Sequence, residues 1–127
     1  MSNSVLELKD VSISLGGKQL LEIDCSVGPG EIFTVMGPSG SGKSSLLAYI
    51  AGFLAPVFES SGSVRVNGAD ICSIAAERRR IGLLFQDPLL FPHLSVAGNL
   101  RFAMQSNAQQ KSQAISEGLN DIGLAGF

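Results

Sequence analysis

Gly37-Pro38-Ser39-Gly40-Ser41-Gly42-Lys43-Ser44 satisfies G-x-x-x-x-G-K-[ST] at every fixed position, the spacing of a loop that wraps nucleotide phosphates. Upstream, Glu31-Ile32-Phe33-Thr34-Val35-Met36 is short, apolar and rich in β-branched residues, which predicts a strand buried on both faces over 32–36. Downstream, Leu46, Leu47, Ile50 and Ala51 share one stripe of a helix predicted over 44–51, and Gly52 supplies its stop. Strand, glycine loop and helix in that order are the setting the motif requires. An ordinary serine-glycine turn that happens to hold a lysine would need neither flank.

The chemistry follows from the residue types. Glycines at 37, 40 and 42 let the backbone bend so that successive amide N–H groups point inward at an anion. The helix that follows turns its positive end and its unpaired first-turn N–H groups toward the same place. Pro38, Ser39 and Ser41 complete the loop. Lys43 brings a mobile point charge to the β- and γ-phosphates. Ser44 is the candidate hydroxyl for Mg²⁺, and Ser45, one residue deeper, falls near the α-phosphate. A nucleoside triphosphate with Mg²⁺ is the ligand this set implies.

The chain has 127 residues, enough for one domain or part of a larger one. It is 45% apolar and 16% charged, leaner in charge than soluble domains usually are, as expected of surfaces that something else covers. A net charge of −2 gives no general attraction to nucleic acid. No apolar run reaches the roughly 18 residues of a membrane span, and Met1-Ser2-Asn3-Ser4 does not read as a secretory signal. A cytoplasmic chain is expected, with room for attachment to a membrane protein. Cys25 and Cys72 have no paired spacing and read as two free thiols.

Two alternating segments open the chain. Leu6 and Leu8 share one phase and Val11, Ile13 and Leu15 the other, so a bulge is expected at Lys9-Asp10. Gly16-Gly17-Lys18 reads as a turn, and Leu21, Ile23, Cys25 and Val27 alternate with polar residues as a half-exposed strand. Gly28-Pro29-Gly30 is a second turn. Val64-Arg65-Val66-Asn67-Gly68 predicts a strand closing in a turn, and Ile81-Gly82-Leu83-Leu84-Phe85 a second fully buried strand. Beyond Pro88 the pattern becomes helical, over 96–104 and 109–122.

A second marker selects among phosphate-loop families. Gly82-Leu83-Leu84-Phe85-Gln86-Asp87-Pro88-Leu89-Leu90-Phe91-Pro92, then Leu94-Ser95-Val96 and Asn99-Leu100, resembles the Q-loop region of ABC transporter ATPases of the bacterial import type. The resemblance spans nearly the whole chain, including Ser61–Gly68 and Arg80-Ile81-Gly82. It implies a P-loop α/β core with an N-terminal antiparallel β subdomain over 1–87, an incomplete sheet, and the start of an α-helical subdomain over 88–127. It also implies an ATP-hydrolysing subunit, peripheral on the inner face of the cell membrane, with transmembrane permease subunits and a second ATPase subunit as partners. Gln86 takes the glutamine's role toward Mg²⁺ and the attacking water; its amide both accepts and donates without adding charge. Lys43 and Gln86 are thus the catalytic candidates, Ser44 and Gln86 the metal candidates.

The chain departs from the family pattern in two ways. Leu15 stands where the family stacks an aromatic residue on adenine; Tyr49, the only tyrosine, is expected to pack behind the loop. No LSGGQ signature, no Walker B strand ending in Asp-Glu and no switch histidine follow the helical segment; Ser116-Glu117-Gly118-Leu119 is no disguised signature, and His93 comes too early. The reading is therefore the N-terminal half of such an ATPase, ending at Gly123–Phe127, with low solubility or marginal stability expected. Glu77-Arg78-Arg79-Arg80 is expected to be a solvated charge cluster. The apolar group Pro88, Phe91, Pro92, Leu94, Val96 and Leu100 packs either on its own helices or on a membrane subunit. A small P-loop kinase and a non-catalytic nucleotide-binding module are the competing readings; the first needs an acceptor site and usually an arginine-bearing lid, and a lid is not evident here.

Overall fold

Lys9 and Asp10 form the expected bulge, and the sheet is organised around it. In the computed structural model, which describes residues 5–104 and 107–126, strand β1 (Leu6–Leu15) pairs antiparallel with β2 (Lys18–Val27) and with β3 (Phe58–Val66). Both ladders slip around Asp10: toward β2 the pairing jumps from Leu8↔Cys25 to Val11↔Ile23, and toward β3 from Lys9↔Ser63 to Ser12↔Ser61. The extra residue switches phase, so that Leu8, Val11 and Ile13 all reach one buried face. Asp10 takes φ 51, and its N–H donates to Oδ2 of Asp24 at 3.2 Å.

The sheet order is β2-β1-β3-β4, where β4 is the two-residue strand Ala69–Asp70. A two-residue turn at Gly16-Gly17, both with positive φ, joins β1 to β2, and Asn67-Gly68 joins β3 to β4 in the same way. Helix α1 (Lys43–Ala51) buries Leu46, Ile50 and Ala51 and ends at Gly52 with φ 90, whose N–H bonds back to the Ala48 and Tyr49 carbonyls. Leu46 and Ile50 join Leu8, Val11, Ile13, Val64 and Ile71 in one core. Leu47, read as part of the buried stripe, is exposed instead.

The two strands predicted over 32–36 and 81–85 do not form. Both stretches run as irregular chain, with Ile32 91%, Met36 87% and Leu84 95% exposed. A strand buried on both faces draws its hydrogen bonds from neighbours on either side. Among the described residues none pairs with these stretches. Val35 and Ile81 still pack against the core. The apolar runs thus mark a burial that the partners present here do not provide. In the opposite direction, β3 starts six residues before the predicted Val64, at Phe58, through a polar Glu59–Ser63 stretch whose ladder to β1 outweighs its poor strand composition.

Leu84 ends one compact unit and Phe85 begins a second. The second holds a short turn region and helices α2 (Val96–Ala103) and α3 (Ala108–Asp121), close to the predicted spans. Ser95 caps α2 by accepting from the Gly98 N–H at 3.0 Å, and Asn107 caps α3 by accepting from Gln110 at 2.9 Å. Ile115 and Leu119 are buried. Met1–Ser4, read above as a polar start, and Phe127 lie outside the described residues. No helix among the described residues is long and apolar enough to cross a membrane.

Candidate functional site

Pro38 begins a tight turn, closed by the Ser41 N–H donating to its carbonyl at 3.2 Å. Gly40 and Gly42 follow with φ 81 and 89, values that an L side chain rarely adopts, so glycine is what the loop needs there. Alternating such residues with ordinary ones turns successive N–H groups toward one side. Gly42 is buried and serves as N-cap of α1; it has no side chain to satisfy the first-turn N–H groups, and no acidic residue stands in that turn. The positive end of the helix therefore has no built-in counter-charge.

Lys43 opens α1 and bends back over the loop. Its Nζ donates to the Gly37 carbonyl, to the Pro38 carbonyl at 2.7 Å and to Ser41 Oγ at 3.2 Å. The ammonium thus lies above the loop it belongs to. Ser44 is exposed in the first turn and Ser45 half-buried beside it. Residues 37–45 bring together amides, a helix end, an ammonium and two hydroxyls, groups suited to an anion of several charges.

Gln86 is exposed in a bend at the start of the second unit. The turn that follows is pinned to α2 by Asn99. Its Oδ1 accepts from the Phe91 N–H at 2.9 Å, while Nδ2 donates to the Ser95 carbonyl at 2.9 Å and the Phe91 carbonyl at 3.3 Å. Phe91 meets Phe102 edge to face with centroids 4.8 Å apart and His93 at 5.8 Å. His93 is thus an exposed loop residue. No group of three or more His, Cys, Asp or Glu among the described residues is placed to hold a metal ion.

Two features escaped the sequence reading. Arg79, read as part of a solvated cluster, is half-buried and donates to four backbone carbonyls, those of Tyr49, Ile50, Cys72 and Ile74. Its neighbours Arg78 and Arg80 are exposed. Only the triplet of arginines hinted at this, and it could not say which one turns inward. The second is a cavity of about 430 Å³ on the polar side of the sheet, lined by Glu7, Lys9, Asp24 and Arg65 among others and by no residue of the loop. Both cysteines are free, and burial, then the charge of Asp24, pushes the Cys25 thiol up.

Glycine loop, helix N-terminus and overlying lysine define a phosphate-loop protein. The chain belongs to the ABC transporter family, whose profile matches residues 20–127. It is 35% identical, over its full length, to the spermidine/putrescine import ATP-binding protein PotA of Mesoplasma florum, covering 37% of that protein. It is 39% identical over 99% of its length to the Fe(3+) ions import ATP-binding protein FbpC of Streptomyces coelicolor, covering 36%. The thiamine import ATP-binding protein ThiQ of Vibrio cholerae is 39% identical over 84% of the chain, which covers 44% of it. The chain thus spans between a third and a half of the length of these relatives.

Proposed function

We propose that this chain is the nucleotide-binding portion of the ATP-hydrolysing subunit of a membrane importer. Residues 1–87 act as the ATPase core and 88–127 as the beginning of the helical subdomain. The amides of 39–44 and the N-terminus of α1 hold the β-phosphate, and Lys43 exchanges its bonds to the Gly37 and Pro38 carbonyls for bonds to the β- and γ-phosphate oxygens. Ser44, with its exposed hydroxyl, fits a magnesium ion carried in by those oxygens; that ion supplies charge neutralisation on the transferred phosphate. Gln86 takes the role of orienting water and touching the metal. Permease subunits and a second ATPase subunit are the partners, and the inner face of the cell membrane is the location. The relatives named for polyamine, iron and thiamine import differ in cargo but share the word import, which supports the class and leaves the cargo to partner proteins.

One observation carries this reading: Lys43, first residue of the uncapped α1, turns its ammonium back onto the Gly37 and Pro38 carbonyls of the loop. Isothermal titration with Mg²⁺-ATP tests it. The chain should bind, and Lys43→Ala should weaken binding by at least about tenfold, the loss of one charge-assisted contact of ~1.5–3 kcal/mol. Equal affinity in folded variant and parent would overturn it.

A further inference from the structure

Asp24 stands at the β1 bulge, and one oxygen of its carboxylate is held there. The β1–β2 pairing skips from Leu8↔Cys25 to Val11↔Ile23. Asp24 falls in that gap, and its Oδ2 accepts the Asp10 N–H at 3.2 Å. Bulges interrupt pairing and re-aim side chains. Beside this one lies the cavity of about 430 Å³ on the polar face of the sheet. β2 lines it with Asp24 and Ser26, β1 with Glu7 and Lys9, β3 with Ser63 and Arg65. Ser26, Glu7 and Arg65 stand abreast across the three strands, and Lys9 faces Ser63 in the next outward row. Leu8, between the two rows, is buried on the other side. Lys9 and Arg65 are thus diagonal neighbours on one face, within reach of a shared ligand group. Both are exposed, and neither side chain has a hydrogen-bond or ion-pair partner among the described residues.

The charges of the lining balance, Lys9 and Arg65 against Glu7 and Asp24. A ligand that is only an anion meets two carboxylates, and one that is only a cation meets an ammonium and a guanidinium. A molecule with one charge of each sign satisfies both. We propose that this cavity is a binding site for a short zwitterionic peptide. Its C-terminal carboxylate sits between Lys9 and Arg65, with the Ser63 hydroxyl as a further donor. Its N-terminal ammonium bonds the Asp24 carboxylate, which the Asp10 N–H engages through Oδ2 and leaves open at Oδ1. The length follows from the strands. β2 and β3 flank β1 and stand about 9–10 Å apart; an extended dipeptide spans about 7 Å, and the side chains cover the rest. A single amino acid holds both charges on one carbon and spans too little. The volume is in the range of small-molecule sites. No residue of the phosphate loop lines the cavity, so the site stands or falls separately from nucleotide binding.

The test titrates dialanine into the full chain and follows backbone amide shifts by NMR. Shifts should concentrate at 7–9, 24–26 and 63–65, with a dissociation constant on the order of 1–10 mM, as a few exposed charge contacts allow. N-acetyl-dialanine lacks the ammonium and dialanine amide lacks the carboxylate; each should bind about three- to fivefold more weakly. Alanine itself should also bind more weakly than dialanine. Asp24→Asn keeps an oxygen for the Asp10 N–H and removes the charge. It should weaken dialanine about three- to fivefold and leave the N-acetyl form where it was, since the partner of that charge is already gone. Arg65→Gln should weaken dialanine in the same measure and leave the amide form where it was. Both positions are exposed, and circular dichroism confirms that the variants fold. Free and capped dialanine binding alike, variants that weaken every form equally, or no shift at these amides would each overturn the site. Shifts confined to 37–45 would overturn it too, by sending the carboxylate to the phosphate loop.

Discussion

Arg79 closes the C-terminal end of α1 by donating from Nη1 to the Ile50 carbonyl at 3.1 Å. The same nitrogen reaches the Tyr49 carbonyl at 3.1 Å, while Nε bonds the Ile74 carbonyl at 2.7 Å and Nη2 that of Cys72 at 3.1 Å. One planar fork thus ties the helix behind the phosphate loop to the chain that leaves β4. The last carbonyls of a helix have no internal partner and carry the negative end of its dipole, so a guanidinium there gains from both. Arg79→Ala should lower unfolding free energy by about 2–3 kcal/mol, since hydrogen bonds to charged groups contribute ~1.5–3 kcal/mol each and these are partly solvated and not additive. Arg79→Lys keeps the charge but loses the fork and should recover less than about half of that. Urea midpoints decide; a change below about 0.5 kcal/mol for alanine would contradict the clamp.

Arg79 also shows where sequence reading runs out. Local signals were readable: the glycine turn at 16–17, the bulge at Lys9-Asp10, the phosphate loop, the stop at Gly52 and the spans of α2 and α3 each depend on residues close in sequence. The loop residues 37–45 of the candidate site were legible for the same reason. What sequence could not give was long-range pairing. Ile32–Met36 has the composition of a buried strand, yet a strand exists only where another one hydrogen-bonds to it. Glu59–Ser63 has the wrong composition and is a strand because β1 lies alongside. Leu20 alternates badly with its neighbours, but only the pairing of β2 to β1, Ile13↔Leu21 and then Ser14↔Gln19, reveals a bulge there.

Tyr49 is expected to make stability depend on alkaline pH. Its hydroxyl donates to the Gly62 carbonyl at 2.9 Å and lies 3.7 Å from Cys72 Sγ. Burial first, then the hydrogen bond and charge of Cys72, push its pKa from 10.0 up to about 12, with Arg79 opposing. The folded state therefore holds this proton more tightly than the unfolded chain. The resulting stability is complete below the unfolded value of about 10 and is lost as pH rises through the folded one. Tyr49→Phe should cost about 0.5–1.5 kcal/mol at neutral pH for the missing hydrogen bond. The gap between the two proteins should then narrow from pH 10 to 12. Parallel unfolding midpoints across that window would remove the argument.

Gly62 is expected to be the least replaceable glycine of the sheet. A Cβ there would lie 2.3 Å from the Asp10 carbonyl oxygen and 2.6 Å from Val11 Cα, both backbone atoms of the β1 bulge, and φ is 95. Neither atom can move without opening the ladder that β1 shares with β3. Gly62→Ala should cost more than about 3 kcal/mol. Gly16→Ala, at φ 58 with nothing within 4 Å of the new methyl, should cost about 1–2 kcal/mol from the left-handed backbone alone. Thermal unfolding of the two variants side by side checks the ranking, and a milder effect at Gly62 than at Gly16 would refute it.

Leu15 governs the last expectation, which concerns the base and not the phosphates. It ends β1 at the Gly16-Gly17 turn and is partly exposed, in the position where the family resemblance places an aromatic residue. A leucine offers apolar contact to any base but no π face, and base stacking on an aromatic ring contributes ~1–3 kcal/mol. The phosphate donors proposed in 37–45 are indifferent to the base. ATP and GTP should therefore bind with dissociation constants within about threefold of each other, because nothing in this set separates them by the ~1.4 kcal/mol that a tenfold ratio requires. Leu15→Tyr should tighten ATP by about fivefold or more through the restored ring face, and should leave magnesium tripolyphosphate unchanged. Competition titrations with the three ligands measure all of this. A parent chain that already prefers ATP by tenfold would mean that some other group reads the base, and Leu15→Tyr would then bring little.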